Sequence, residues 1–331
     1  MRKEVLAVGC ALMVFCGCAA MGKKDYTTAV NEFQQVIDQN SRLAESYRAE
    51  GIAYYSEKAY PEAIAAFSRS LNNMDDPDKE FKKDVQFYLA QARMDYGEVD
   101  KAIEVYSEIL KAGEDEQAFF LRGKAYISME DYKNAEKDFQ RALEGCEDYN
   151  LYINIYQIYV DHNKAVDGDA YLKMALELEP QDGEDCYHRG RIYEYEKNYE
   201  AARDELKTAM EQGYEDAMLL LGRVYLEMED PASARSMYQE YLQKSEQGAK
   251  AYNGLAMCDI YDGAYDSALE NIAQGLKENS KEDEQGLLYN EIVAYEYKRD
   301  FATAKEKMKI YLEQYPEDEA ALRENEFLST R

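Results

Sequence analysis

The chain has 331 residues, 46% of them hydrophobic, but only 18 Gly and 5 Pro, too few turn-formers for an all-β protein. With 39 basic against 67 acidic residues the net charge is −28, which opposes contact with the phosphates of DNA or RNA, where clustered Lys and Arg do the work. Two histidines leave little room for His-based metal or acid–base chemistry, so the composition points to a helical, non-catalytic protein with neither cofactor nor metal.

The N-terminus reads as an address. Arg2 and Lys3 form a basic start, and Val5 to Met21 then run seventeen positions without a charge before Lys23 and Lys24. Such a run is at the bottom of the membrane-spanning range, but it contains Gly9 and Gly17 and ends in small residues, so cleavage is the better reading. Phe15-Cys16-Gly17-Cys18 resembles a bacterial lipobox, with Phe15 and Cys16 departing from the usual residues. The resemblance implies removal of residues 1–17, lipid attachment at Cys18 and a tether over 18–23, placing the protein on the extracytoplasmic side of a bacterial membrane. An uncleaved anchor and ordinary cleavage near Ala20 are the alternatives. Cys146, Cys186 and Cys258 remain in the body, an odd number without a C-x-x-C, and read as buried free thiols rather than a disulfide framework.

Beyond the tether the sequence repeats. Small residues recur at Ala29, Ala63, Ala102, Ala135, Gly168, Ala202, Ala234, Ala268 and Ala304, at spacings of 32 to 39. Each is followed four residues later by a large one (Phe33, Phe67, Tyr106, Phe139, Leu172, Leu206, Tyr238, Ile272, Met308) and four later again by an apolar one, which lays a stripe along one helix. A second helix precedes each of the last eight. It carries a small residue at Gly51, Ala90, Gly123, Gly190, Gly222 and Ala256, with Tyr156 and Ile292 as exceptions, then a tyrosine three residues on at Tyr54, Tyr126, Tyr159, Tyr193, Tyr225 and Tyr295. Arg93 and Asp259 break that column.

These residues resemble tetratricopeptide repeats, in which a first helix (A) with an aromatic opening crosses a second (B) at small residues. Tyr47, Phe119, Tyr152 and Tyr252 take the opening aromatic place, and Pro180 and Pro316 the closing one. The resemblance implies an all-α, right-handed α-solenoid of stacked antiparallel helix pairs, each burying its apolar stripe against its neighbours. The expected organisation is a half repeat over 24–40, eight pairs over 44–316, a loop insertion over Asn73 to Lys83, and a polar capping helix over 317–331.

No constellation supports chemistry. Cys186 and His188 stand two apart, so on a helix they point away from each other. Asp161 to Asp169 has Val166 where a calcium loop needs its glycine and is followed by Leu172 where the loop needs its closing Glu, so it reads as an inter-helix turn, and Glu114-Asp115-Glu116 as a solvated helix start. The informative face is the one that in this family lines the inner groove: the residue after the opening aromatic, and those four and seven further on. It predicts a ligand groove of Phe87, Phe120, Lys124, Ile153, Tyr187, Arg191, Leu219, Arg223 and Tyr289, with Asn253 and Met257 in the same sets. Three cations among aromatic and apolar residues point to protein or peptide segments of apolar, aromatic and acidic character. The expected function is a membrane-anchored scaffold; the alternative is a structural or assembly lipoprotein that acts by lateral packing.

Overall fold

The computed structural model describes residues 25–38, 42–74 and 78–331; the signal segment, Cys18 and the tether lie outside the described residues. Among the described residues all regular structure is α-helical. Helix α1 (Tyr26–Asp38) stands first. Four pairs follow: α2 (Leu43–Ser56) with α3 (Tyr60–Asn72), α4 (Lys79–Tyr96) with α5 (Val99–Ala112), α6 (Glu116–Ser128) with α7 (Tyr132–Ala142), and α8 (Tyr149–Asp161) with α9 (Ala165–Leu176). Then come α10 (Gly183–Tyr195) with α11 (Tyr199–Glu211), α12 (Ala217–Glu227) with α13 (Pro231–Lys244), α14 (Ala249–Tyr261) with α15 (Tyr265–Lys277), and α16 (Lys281–Tyr297) with α17 (Phe301–Gln314). Helix α18 (Glu319–Ser329) closes the chain, burying Ala321 and Leu328 beside Ala304 and Met308 of α17.

The chain divides into two compact units, one ending at Tyr171 and one beginning at Leu172, so that the division falls within α9. From α1 to α7 in the first unit, and from α10 to α18 in the second, every helix packs on the one that follows it, and successive A helices α10, α12, α14 and α16 also touch. This is the all-α solenoid of stacked pairs that the resemblance implies.

One local device closes every A helix. The residues Lys58, Gly97, Glu130, Asn163, Lys197, Glu229, Gly263 and Arg299 all have positive φ, and each lies in the turn from an A helix to its B helix. The next amide reaches back to close the helix end: Ala59 N donates to Tyr54 O, Asp131 N to Tyr126 O, Asp230 N to Tyr225 O and Ala264 N to Asp259 O, at 2.8–2.9 Å. The acceptors are the column of tyrosines, with Arg93 and Asp259 in the two exceptional places. That closing residue then starts helix B. The side chains of Asp131, Asn198, Asp230 and Asp300 accept from the backbone amides of Asn134, Ala201, Ser233 and Thr303, so one residue ends one helix and caps the next. Hydrogen bonds from Ser233 and Thr303 hold the carboxyls of Asp230 and Asp300 below the usual carboxylate range.

The small residues work by close approach. A Cβ on Gly123 would stand 2.7 Å from the Phe139 ring, and one on Gly254 2.3 Å from that of Tyr238, so only glycine lets a neighbouring helix's ring lie against the backbone. Phe139 is fully buried and packs edge-on against Tyr159 and Tyr171. Tyrosine fills these sites as a core residue.

A polar clasp recurs where the residue before the small one on helix A meets the residue before the large one on helix B. Arg122 grips Asp138 through two bonds of 2.7 and 2.8 Å, Arg189 grips Glu205 at 2.8 Å, and in the last pair the polarity reverses, Lys307 meeting Glu291 at 2.7 Å. Both exceptions in the tyrosine column are also polar. Asp259 is buried and accepts from Arg235 and Asn271, each at 2.7 Å, while Arg93 donates to Lys101 O.

Two expectations are corrected. The insertion after α3 is not all loop, because Lys79 to Lys83 form the first turn of an extended α4 with Asp78 as its cap. Asp167, in the first turn of α9, and Asp169 likewise lie within that helix rather than in the turn before it. Asp115 caps α6, accepting from Ala118 N at 2.9 Å, which explains that acidic start. No helix of the described residues is long and apolar enough to cross a membrane.

Candidate functional site

Within the second unit, four A helices line a concave space of about 790 Å³. Two of them contribute the same four-residue stripe: Asp216, the residue before α12, with Leu219, Leu220 and Arg223 of α12, and Lys250, Asn253, Gly254 and Met257 of α14. That spacing puts all four on one helical face. Tyr187 of α10 closes one end. Glu282, Asp283 and Gly286 of α16, with Glu278 and Ser280 of the preceding turn, close the other. Tyr238 and Tyr241 of α13 form the floor, both nearly buried.

Of the expected groove residues, the structure brings Tyr187, Leu219 and Arg223 together here, along with Asn253 and Met257. Arg191 is a near neighbour, its guanidinium 5.9 Å from the centre of the Tyr187 ring and its Nη1 3.3 Å from His188 Nδ1. Burial pushes the Tyr187 hydroxyl above its ordinary pKa, with Arg191, Arg223 and Lys250 pulling the other way. Tyr289 sits further along α16, its ring edge-on to Tyr311 at 5.8 Å, and does not line the space.

In the first unit the expected residues fare differently. Phe87 is half-buried with its ring 6.3 Å from Tyr106, and Phe120 half-buried with its ring 6.2 Å from Phe139, so both lean on core rings. Lys124 is exposed on α6. Ile153 is only 2% exposed, which corrects its placement in a ligand groove. The reason is the composition of α8, where Tyr149, Tyr152, Ile153, Ile155, Ile158 and Tyr159 are all buried: a helix apolar around most of its circumference is covered on more than one face.

The cations are not free in the way the sequence suggests. Arg223 is held by Glu194 through Nε–Oε1 and Nη2–Oε2 contacts of 2.6 Å, and Lys250 Nζ lies 3.0 Å from Glu282 Oε1. Sequence reasoning missed the residue three before each named position, namely Asp216, Lys250 and Gly286, although a helix puts i−3 on the same face. It also missed the turn residues Glu278 and Ser280 and the floor tyrosines, whose signals lie on elements not counted as groove.

Cys186 and Cys258 are buried free thiols and Cys146 a partly buried one; burial pushes the Cys258 thiol up to about 11. Among the described residues no group of three or more His, Cys, Asp or Glu is arranged to hold a metal ion.

The arrangement is that of a stacked-repeat array with a lined concavity, and the comparisons with known proteins agree on the class. A family model for the tetratricopeptide repeat matches residues 17–78, 187–249 and 219–284, and a second model of the same repeat matches 116–148. These segments make up more than half of the chain, which is a tetratricopeptide-repeat protein. Among solved structures, yeast Tom70 is 15% identical, with 92% of this chain and 78% of that one covered at a TM-score of 0.51, a likeness of fold. A tetratricopeptide-repeat protein from Parabacteroides merdae is 16% identical over 86% of this chain and 99% of that one, with a TM-score of 0.48. YrrB, described as a tetratricopeptide-repeat protein with an unusual peptide-binding site, is 26% identical over 57% of this chain and 97% of that one, with a TM-score of 0.37. No curated protein matches the chain.

Proposed function

We propose that the protein is a non-catalytic scaffold that binds segments of other proteins in the space lined by α10, α12, α14 and α16. The observation that carries this reading is the pair of matching stripes on α12 and α14, which present Leu219, Leu220 and Met257 beside polar side chains along one wall. Successive helical stripes over an aromatic floor suit an extended or helical peptide, whose side chains drop into successive inter-helix gaps. The lipobox-like segment ending at Cys18 supports a further part of the proposal, attachment through lipid to the extracytoplasmic face of a bacterial membrane. Two acyl chains suffice for stable anchoring.

A photo-crosslinking residue placed at Leu219, and another at the exposed Gln239 of α13, test the site in an envelope extract. The expected result is a discrete adduct from position 219 that is lost in a Gly286→Phe background. Gly286 is exposed, and a Cβ there meets only Asn253 Nδ2 at 3.3 Å, so the ring fills the space without entering the core. Equal adducts from both positions overturn the site. For the anchor, Cys18→Ala should abolish acyl labelling; persistent labelling removes the lipobox reading.

The alternative, action by lateral packing, is favoured by one observation: Ile310, Leu322 and Phe327, on the last two helices, are each 40% or more exposed. In that case the adducts would come from α17 and α18 instead.

A further inference from the structure

We propose that the segment taken up by the α10–α16 concavity is basic, with a Lys or Arg side chain directed to the end formed by Glu278, Asp283 and Gly286. The inference rests on the binding site proposed above and concerns the sign of the ligand's charge there, which the sequence suggests to be negative.

Four carboxylates line the space, those of Asp216, Glu278, Glu282 and Asp283, against two cations, Arg223 and Lys250. Both cations are already engaged. Glu194, which lies behind the wall and is itself largely buried, takes the Arg223 guanidinium with both oxygens, and Glu282 takes Lys250. An incoming acid would have to displace one of these carboxylates before gaining anything. The remaining carboxylates form no direct ion pair: Asp216 and Asp283 lie in the field of Lys250, but Asp283 accepts from Ser280 Oγ at 2.7 Å and the Tyr241 hydroxyl stands 3.5 Å from Asp216.

Helix ends do not account for all of this charge. Glu282 and Asp283 lie in the first turn of α16, and Asp216 just before α12, places where the helix dipole favours a carboxylate. Glu278 is different. It follows the last residue of α15, at the end where the dipole disfavours negative charge, and the two cations that line the space, Arg223 and Lys250, pair with Glu194 and Glu282 rather than with it. An incoming ammonium or guanidinium relieves that unfavourable placement.

The floor fits the same ligand. Lys and Arg bury an apolar stem while the charged head stays polar, and the stem has Leu219, Met257 and the ring of Tyr241 to lie on. Gly286 leaves the α16 wall open, so the head can reach between Asp283 and Glu278. A guanidinium gains more than an ammonium, because its fork matches two carboxylate oxygens.

The test selects random twelve-residue peptides displayed on phage against the full chain, against a Glu278→Gln/Asp283→Asn variant, and against Gly286→Phe. Both carboxyl substitutions keep side-chain size, at the exposed Glu278 and the half-buried Asp283, and a thermal melt checks that each variant folds. The expected result is enrichment of Lys and Arg in peptides selected on the wild type. One such peptide, resynthesised, should bind the wild type at least tenfold more tightly than its Lys/Arg→Gln counterpart at low salt. The difference should shrink in high salt and in the double variant. If the selected peptides bind in a Gly286→Phe-sensitive way but carry no excess of basic residues, or carry acidic ones, the charge inference fails while the site stands. If the wild type and Gly286→Phe select the same peptides, the site itself is wrong and the inference falls with it.

Discussion

Helices α4, α6 and α8 of the first unit and α10, α12 and α14 of the second carry large side chains at the same place, after the opening residue: Phe87, Phe120 and Ile153 against Tyr187, Leu219 and Asn253. In the first unit these side chains lean on core rings or enter the core. In the second they line an open space. The difference comes from their surroundings rather than from the residues. In the second unit Gly254 draws the Tyr238 ring in against the α14 backbone, and Gly286 presents no side chain to the space. In the first unit α8 has apolar residues on several faces, so its neighbours cover Ile153 too. A repeat position that is nominally ligand-facing is therefore free only where the adjoining helix leaves volume beside it.

The largest expected effect separates the two regions by readout. Ile153→Ala removes a fully packed side chain and should cost about 2–5 kcal/mol of stability. Leu219→Ala, at a half-buried wall position, should cost only a fraction of that in denaturant melts, yet lower affinity for a selected peptide about tenfold. If both substitutions act on stability alone and to the same extent, the two faces do not differ in the way described.

How much of this was legible depends on what each signal encodes. The helices were, because the spacing of Phe67, Tyr106 and Phe139 with the facing Gly51, Ala90 and Gly123 records a contact that must recur in every pair. The turns were half legible: the tyrosine column marks the last turn of each A helix, but the sequence shows nothing about a backbone carbonyl that accepts the closing bond. Tyr187, Leu219 and Arg223 could be found because helical periodicity puts them on one face. The engagement of Arg223 by Glu194 could not, since those two residues are 29 apart and belong to neighbouring repeats. Nor could the open volume, which depends on where rings on other helices come to rest.

A pH effect distinguishes the two regions next. In the second unit burial of Glu296 on α16, together with the neighbouring carboxylate of Glu324 on α18, pushes its pKa up to about 7. Tyr289 feels the same two carboxylates, along with Asp318 and Arg323. A group raised in the folded state contributes stability that is fully present below its unfolded value of 4.5 and is lost as pH rises through about 7. The docking of α18 should therefore loosen between pH 5 and pH 8, read as faster amide exchange in residues 319–329, while α4 to α8 show no matching change in that window. Glu324→Gln removes the repelling charge and keeps a hydrogen-bonding group, so it should flatten the profile. An unchanged slope in that variant would show that the pair is not responsible.

The smallest effect concerns the turns. Eight A helices end on a residue with positive φ, but only Gly97 and Gly263 are glycine. A side chain in this left-handed conformation costs about 1–2 kcal/mol from the contact between Cβ and the following carbonyl. Glycine in turn loses more chain entropy on folding, so the net gain from Glu130→Gly or Glu229→Gly should be about 1 kcal/mol at most. Asn163 should gain least, because asparagine tolerates this region. The converse substitution isolates the backbone contribution: at Gly97 an added Cβ meets nothing within 4 Å, so Gly97→Ala should lose about 1 kcal/mol with no packing change to confuse it. Since both units use the same turn, Glu130→Gly in the first and Glu229→Gly in the second should raise the denaturation midpoints of their own regions by similar amounts. If Glu130→Gly stabilises and Glu229→Gly does not, the turn is not the shared element it looks to be. The second unit's turns would then be set by packing around the open site rather than by backbone geometry alone.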